Sequence, residues 1–135
     1  MRRELELLRD LHAPGLAREA LTRWYSDRLE DEELNDGKLV VSELVTNAVL
    51  HGVGRILLRT ELDEDHVLIE VVDEGSGFEH AVRQVPFDQL SGRGLAIVDA
   101  TSSRWGIHDG TTHVWAEIER RGPRLGARKN PKKSA

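Results

Sequence analysis

A chain of 135 residues, 39% of them hydrophobic, has the size and apolar content of one domain, which excludes a multidomain machine. It contains no cysteine, so disulfides, thiolate metal clusters and a thiol nucleophile are excluded. The formal charge of -5 is unevenly spread: seven basic and no acidic residues lie from Arg120 onward, which leaves 12 basic against 24 acidic residues upstream.

In chain order, Leu5 and Leu7 alternate with Glu4 and Glu6, a short strand pattern, and Pro14 suits the first turn of a helix over residues 14–29. The acidic run Glu30 to Glu33 reads as a connection. A second helix is expected over residues 33–50, where Val41, Leu44, Val45 and Ala48 form one apolar stripe and Gly52 supplies the stop. The period then changes to alternation. Ile56, Leu58, Thr60 and Leu62 share one face, as do Val67, Ile69, Val71 and Asp73, with Asp63 to Asp65 as the turn of a hairpin. Residues 74–93 lose all period and carry Gly75, Gly77, Pro86 and Gly92, the pattern of a long functional loop. A short helix over 95–100 and two strands over 103–108 and 111–119 complete the series. The basic end after them has the composition of a disordered, solvated tail, so direct binding to nucleic acid is not expected. Neither a membrane-spanning apolar run nor a signal-peptide pattern occurs, and the expected location is the cytoplasm.

Three groups of residues carry chemistry. Glu43, Asn47 and His51 are spaced i, i+4, i+8, which lines a carboxylate, an amide and an imidazole along one helix edge beside the apolar stripe. The same spacing suits a solvated polar edge; alternatively, Asn47 offers an oxygen to a hard cation such as magnesium and Glu43 accepts a proton. The second group, Asp73-Glu74-Gly75-Ser76-Gly77-Phe78, ends a strand. Asp73 continues the inward face of that strand, a costly place for a carboxylate unless it is paired, and the glycines permit close approach of a ligand. The third, Ser91-Gly92-Arg93-Gly94-Leu95, opens a short helix whose first N–H groups suit a phosphate, with Arg93 available to offset its charge. Neither a Walker loop nor a dinucleotide fingerprint is present.

Taken together and in this order, the run from Glu43 to Gly52, the Asp73-x-Gly75-x-Gly77-Phe78 motif and the run Gly92-Arg93-Gly94-Leu95-Ala96-Ile97-Val98 resemble the ATP-binding domain of the GHKL superfamily, which includes gyrase, histidine kinases and MutL. The resemblance covers residues 14–119, and within the superfamily the chain is most similar to the stand-alone anti-sigma-factor serine/threonine kinases of bacteria. It implies an α+β architecture, the two-layer α/β sandwich of the Bergerat ATP-binding fold, with helices on one face of a mixed, mostly antiparallel sheet. Residues 1–119 would form the domain and 120–135 an appendage.

The resemblance also implies roles. Asn47 would hold Mg2+ against the ATP phosphates, and Glu43 would be the general base. Asp73 would accept the adenine amino group, with Gly75 and Gly77 beside the ring and Thr112, or Thr111, close by. Gly92, Arg93, Gly94 and Leu95 would line the triphosphate, His51 would stand near it, and residues 78–91 would form the lid. The implied partners are a sigma factor, an antagonist protein that receives the phosphoryl group, and a second copy of the chain in a homodimer. An ATPase or binding module of the same fold without transfer activity is the alternative. A histidine-kinase catalytic domain ranks lower, because it needs a phosphoacceptor helix ahead of the domain and only residues 1–13 precede the first helix.

Overall fold

The computed structural model describes residues 1–75, 93–107 and 113–120, and for Arg93 to Leu95 the backbone alone. The elements run β1 (Arg2–Leu7), α1 (Ala13–Tyr25), α2 (Asp31–His51), β2 (Ile56–Leu62), β3 (His66–Asp73), α3 (Arg93–Thr101), β4 (Arg104–Ile107) and β5 (Val114–Glu119). The five strands form one sheet in the order β1-β2-β3-β5-β4. Every pairing among the described residues is antiparallel, in line with the mostly antiparallel sheet expected from the sequence.

Alternation decides which face of the sheet is covered. Ile56, Leu58, Thr60 and Leu62 of β2 are buried, as are Val67, Ile69, Val71 and Asp73 of β3 and Val114, Ala116 and Ile118 of β5. Successive side chains point to opposite faces, so these residues form one continuous inner surface. The apolar stripe of α2 is buried with them through Val40, Val41, Leu44, Val45 and Ala48, and α1 adds Ala17, Ala20, Leu21 and Tyr25. Burying each large aliphatic side chain contributes about 1.5–3 kcal/mol, so this layer of contacts is the main source of stability. One polar pair lies inside it: the Tyr25 hydroxyl and the Thr60 hydroxyl are 2.7 Å apart. Burial raises the Tyr25 pKa, and the Thr60 bond opposes the rise.

The acidic run 30–33 belongs to α2, not to a connection. Glu30 is its N-cap, and the Glu33 carboxylate reaches back to accept the Glu30 N–H at 3.0 Å, a capping box. Asp31, Glu32 and Glu33 fill the first turn, where carboxylates meet the positive end of the helix. At the other boundary, α1 stops at Tyr25 rather than at residue 29, although Leu29 is still buried. The residue counted first in the basic tail is fastened to the domain: Arg120 donates to the carbonyls of Asp63 at 2.7 Å and Arg28 at 3.0 Å. Residues 121–135 and 78–91, the expected tail and lid, lie outside the described residues.

Candidate functional site at the junction of α2 and β3

Two elements end side by side. Helix α2 carries Glu43, Asn47 and His51 toward its C-terminus, and β3 carries Asp73 at its last position. The one-edge spacing of the helical residues does not give them one environment. Glu43 is half-buried, Asn47 is 6% exposed, and His51 in the final turn is exposed. Asn47 is therefore the residue of the three that the packing encloses.

Asp73 follows the inward alternation of β3 and is 9% exposed. Its Oδ1 accepts the N–H of Gly75 at 2.7 Å, which turns the chain sharply just after the strand. A carboxylate this far from water is costly in the absence of hydrogen bonds, and the Gly75 N–H supplies one.

What fits this carboxylate against the helix is a pair of glycines between α2 and β2. Gly52 caps the helix, with its N–H donated to the Ala48 carbonyl at 2.9 Å. A Cβ added at Gly52 would overlap the Asp73 carboxylate and stand 2.6 Å from the Ala48 oxygen. Two residues on, Gly54 has φ +71°, and a Cβ there would overlap the Glu74 carboxyl group. Between them Val53 accepts the Glu74 N–H at 2.9 Å. The segment Gly52-Val53-Gly54 thus clasps Asp73-Glu74, and the clasp brings the strand-end carboxylate to the end of the helix that bears Asn47. Sequence reasoning used Gly52 only as a helix stop and gave Gly54 no role. The Gly-x-Gly spacing straight after a polar helix edge was the available signal.

Two arginines hold α2 from its other side. Arg9 donates to the Val49 carbonyl at 3.2 Å, and Arg18 donates to the Ser42 hydroxyl at 2.8 Å, so the turns on either side of Asn47 are tied to the first 25 residues. Helix α3 starts at Arg93, two residues before the start read from the sequence, and packs against α2 with Val98 fully buried. Its first N–H groups have no partner within the helix, as at any helix start. Gly94 and Leu95 lie in this first turn. Gly77, Phe78, Gly92, Thr111 and Thr112 lie outside the described residues, as does the side chain of Arg93.

The residues present fit a magnesium–nucleotide pair better than a bare metal. Among the described residues no group of three or more His, Asp or Glu side chains could hold an ion. A single enclosed amide, Asn47, suits a hard cation only when other oxygens, such as phosphates, complete its shell. The enclosed Asp73 carboxylate is in turn an acceptor of the kind that a buried amino group requires.

A two-layer α+β domain with a polar junction at one end of a five-stranded antiparallel sheet is the class that these features define. The chain belongs to the histidine kinase-like ATPase domain family, whose model matches residues 8–118. It is similar to the anti-sigma F factor of Clostridium beijerinckii, 31% identical over 80 residues that cover 50% of this chain and 56% of that protein. The anti-sigma F factor of Clostridium botulinum is 40% identical over 80 residues, with the same shares covered. The chain thus spans about half the length of these curated relatives. Among solved structures, the RsbU and RsbW domains of Rv1364c from Mycobacterium tuberculosis match with a TM-score of 0.66 and 23% identity, covering 90% of this chain and 32% of that one. That likeness is one of fold.

Proposed function

We propose that this chain binds Mg-ATP at the α2–β3 junction and acts as a cytoplasmic anti-sigma factor with serine/threonine kinase activity toward an antagonist protein. The observation that carries the reading is the enclosed Asp73 carboxylate, seated over Gly52 at the end of the helix that bears Asn47. Family membership and the relatives named anti-sigma F factor support it. The partners are a sigma factor, the antagonist and a second copy of the chain. Residues 1–119 are the working domain and 120–135 its appendage. No helix among the described residues is long and apolar enough to cross a membrane.

Each residue has a task in this reading. Asp73 selects adenine by accepting its amino group, while the Gly75 N–H keeps the carboxylate oriented. Asn47 would hold the magnesium that the nucleotide brings through its amide oxygen, and His51 would stand at the phosphate end. Bound Mg-ATP would supply the phosphoryl group, with the magnesium offsetting phosphate charge. Glu43, half-buried one turn before Asn47, would accept the proton of the acceptor serine hydroxyl as that oxygen attacks the γ-phosphorus and the bond to the β-phosphate oxygen breaks, with ADP as the leaving group. Gly92, Arg93, Gly94 and Leu95 line the triphosphate through backbone N–H groups at the start of α3. Gly77 and Thr112 complete the adenine site.

Incubation of the chain with labelled ATP and a candidate antagonist tests the reading. Label on an antagonist serine, lost in Glu43→Ala, is the expected result. Phosphate release without transfer would make the chain an ATPase, and nucleotide binding with neither reaction would make it a binding module.

A further inference from the structure

We infer that His113 and Glu70 are positioning residues for the adenine end of the nucleotide site: their bond, on the far side of the sheet, fixes where the start of β5 stands beside the Asp73 end of β3. The inference rests on the nucleotide reading proposed above and deepens it, since neither residue has a part there.

Strand β3 has unequal neighbours at its last residues. Its register with β2 runs on to Ile56↔Asp73, whereas its register with β5 stops at Val71↔Val114. On the β5 side the described ladder therefore ends two residues short of the carboxylate that would accept the adenine amino group. His113 stands at that point, directly before β5, and Thr111 and Thr112 precede it in the chain. Its Nε2 lies 2.9 Å from Glu70 Oε2, so a side-chain bond continues the join between β3 and β5 past the last backbone pair. Surface ion pairs contribute little because water competes for both partners, but these two side chains are only 16% and 21% exposed.

Glu70 is held from both sides. Arg59, directly opposite on β2, brings its Nε to 3.5 Å from Oε1, which leaves Oε2 for the imidazole. Trp115, directly opposite on β5, does not take that space: its ring lies against Gly106 of β4, where an added Cβ would stand 2.9 Å from it. The carboxyl group can thus reach along the diagonal to His113, a span that long side chains cover.

This bond acts through the strands and not by touching a ligand. Glu70 alternates with the buried Ile69 and Val71, so it points away from the helices, whereas Asp73 points toward them. What the bond sets is the separation between β3 and the residues ahead of β5, to which the nucleotide reading assigns the rest of the adenine site. The same face carries its own control. Arg104 and Glu117, directly opposite on β4 and β5, approach to 3.8 Å toward the other end of β5, and Arg104 is 69% exposed. That pair joins no strand to the Asp73 end of β3.

The ratio of ATP to inosine triphosphate affinity tests the inference, because the two nucleotides carry the same triphosphate and inosine has an oxygen where adenine has the amino group. The full-length parent should prefer ATP. In calorimetric titrations His113→Ala and Glu70→Ala should each lower ATP affinity about five- to tenfold and inosine triphosphate affinity by less than about twofold, and the double variant should fall no further than either single one. His113→Gln, which puts an N–H near the place of Nε2, should keep the parent ratio, as should Arg104→Ala. If an alanine variant unfolds, Glu70→Gln, equal in size and without the charge, should move the ratio the same way by about threefold. Folded variants at His113 and Glu70 that keep the parent ratio, or that weaken both nucleotides equally, overturn the inference and leave the nucleotide reading standing. A parent that binds neither nucleotide, or both equally, overturns the role of Asp73 and this inference with it, and that result is seen before any variant is made.

Discussion

The two ends of α2 treat enclosed polar groups in opposite ways. At the N-terminus Glu33 is only 1% exposed, yet its carboxylate is occupied within its own turn, closing on the Glu30 N–H. At the C-terminus the enclosed groups, Asn47 and Asp73, come from different elements, and Asp73 comes up against the helix end because Gly52 and Gly54 let the chain pass so close. The first arrangement caps a helix. The second sets a strand-end carboxylate against the end of the helix that bears an enclosed amide, which no helix cap requires. Burial of a charged residue is thus a poor sign of function until the origin of its partners is known.

Substitutions can break each end separately. The largest effect is expected for Gly52→Ala. Overpacking costs about 1–3 kcal/mol, and the displaced Asp73 carboxylate should lower ATP affinity as well, so thermal unfolding and calorimetric titration should both respond. Gly54→Ala should cost about 1–2 kcal/mol, since an L side chain is strained at φ +71°, with a smaller effect on nucleotide because Glu74 and not Asp73 is displaced. Glu33→Ala should remove about 0.5–2 kcal/mol of stability through the lost cap and leave ATP affinity unchanged. A Glu33→Ala variant that lost nucleotide binding while still folded would erase the contrast between the two ends.

The smallest effect concerns the polar pair between the layers and sharpens the comparison by supplying an enclosed group with no site role. Tyr25→Phe leaves the Thr60 hydroxyl without its 2.7 Å partner and should cost about 1 kcal/mol, most of it recovered in Tyr25→Phe/Thr60→Val. The pH dependence follows from the raised Tyr25 pKa. The neutral phenol is favoured in the fold, so its contribution is fully present below the unfolded value near 10 and is lost as pH rises toward the folded value. Alkaline unfolding curves should therefore be shallower for Tyr25→Phe.

Much of this architecture was legible in the residues. The alternation of 56–62 and 66–73 placed Asp73 on the inner face, because a period of two admits only two faces and the apolar residues claim one. The start of α2 was misjudged for a physical reason: four consecutive acids look like a solvated connection in composition, but carboxylates at a helix start are favoured by its free N–H groups. Likewise the equal spacing of Glu43, Asn47 and His51 could not show that only Asn47 is enclosed, since that depends on what packs over each turn. The clasp at Gly52 and Gly54 was illegible because it is a contact with Asp73 and Glu74, which are far from the glycines in sequence.

The central claim is that the α2–β3 junction holds the nucleotide. Calorimetric titration of ATP into the parent, Asn47→Ala and Asp73→Asn, with and without magnesium, tests it most directly. Asp73→Asn keeps an acceptor for the Gly75 N–H and removes only the charge, so its fold should be intact. Loss of one charge-assisted hydrogen bond should weaken ATP by roughly 10- to 100-fold, and Asn47→Ala should abolish the dependence on magnesium. Equal affinity in all three proteins, or no binding by the parent, would contradict the account.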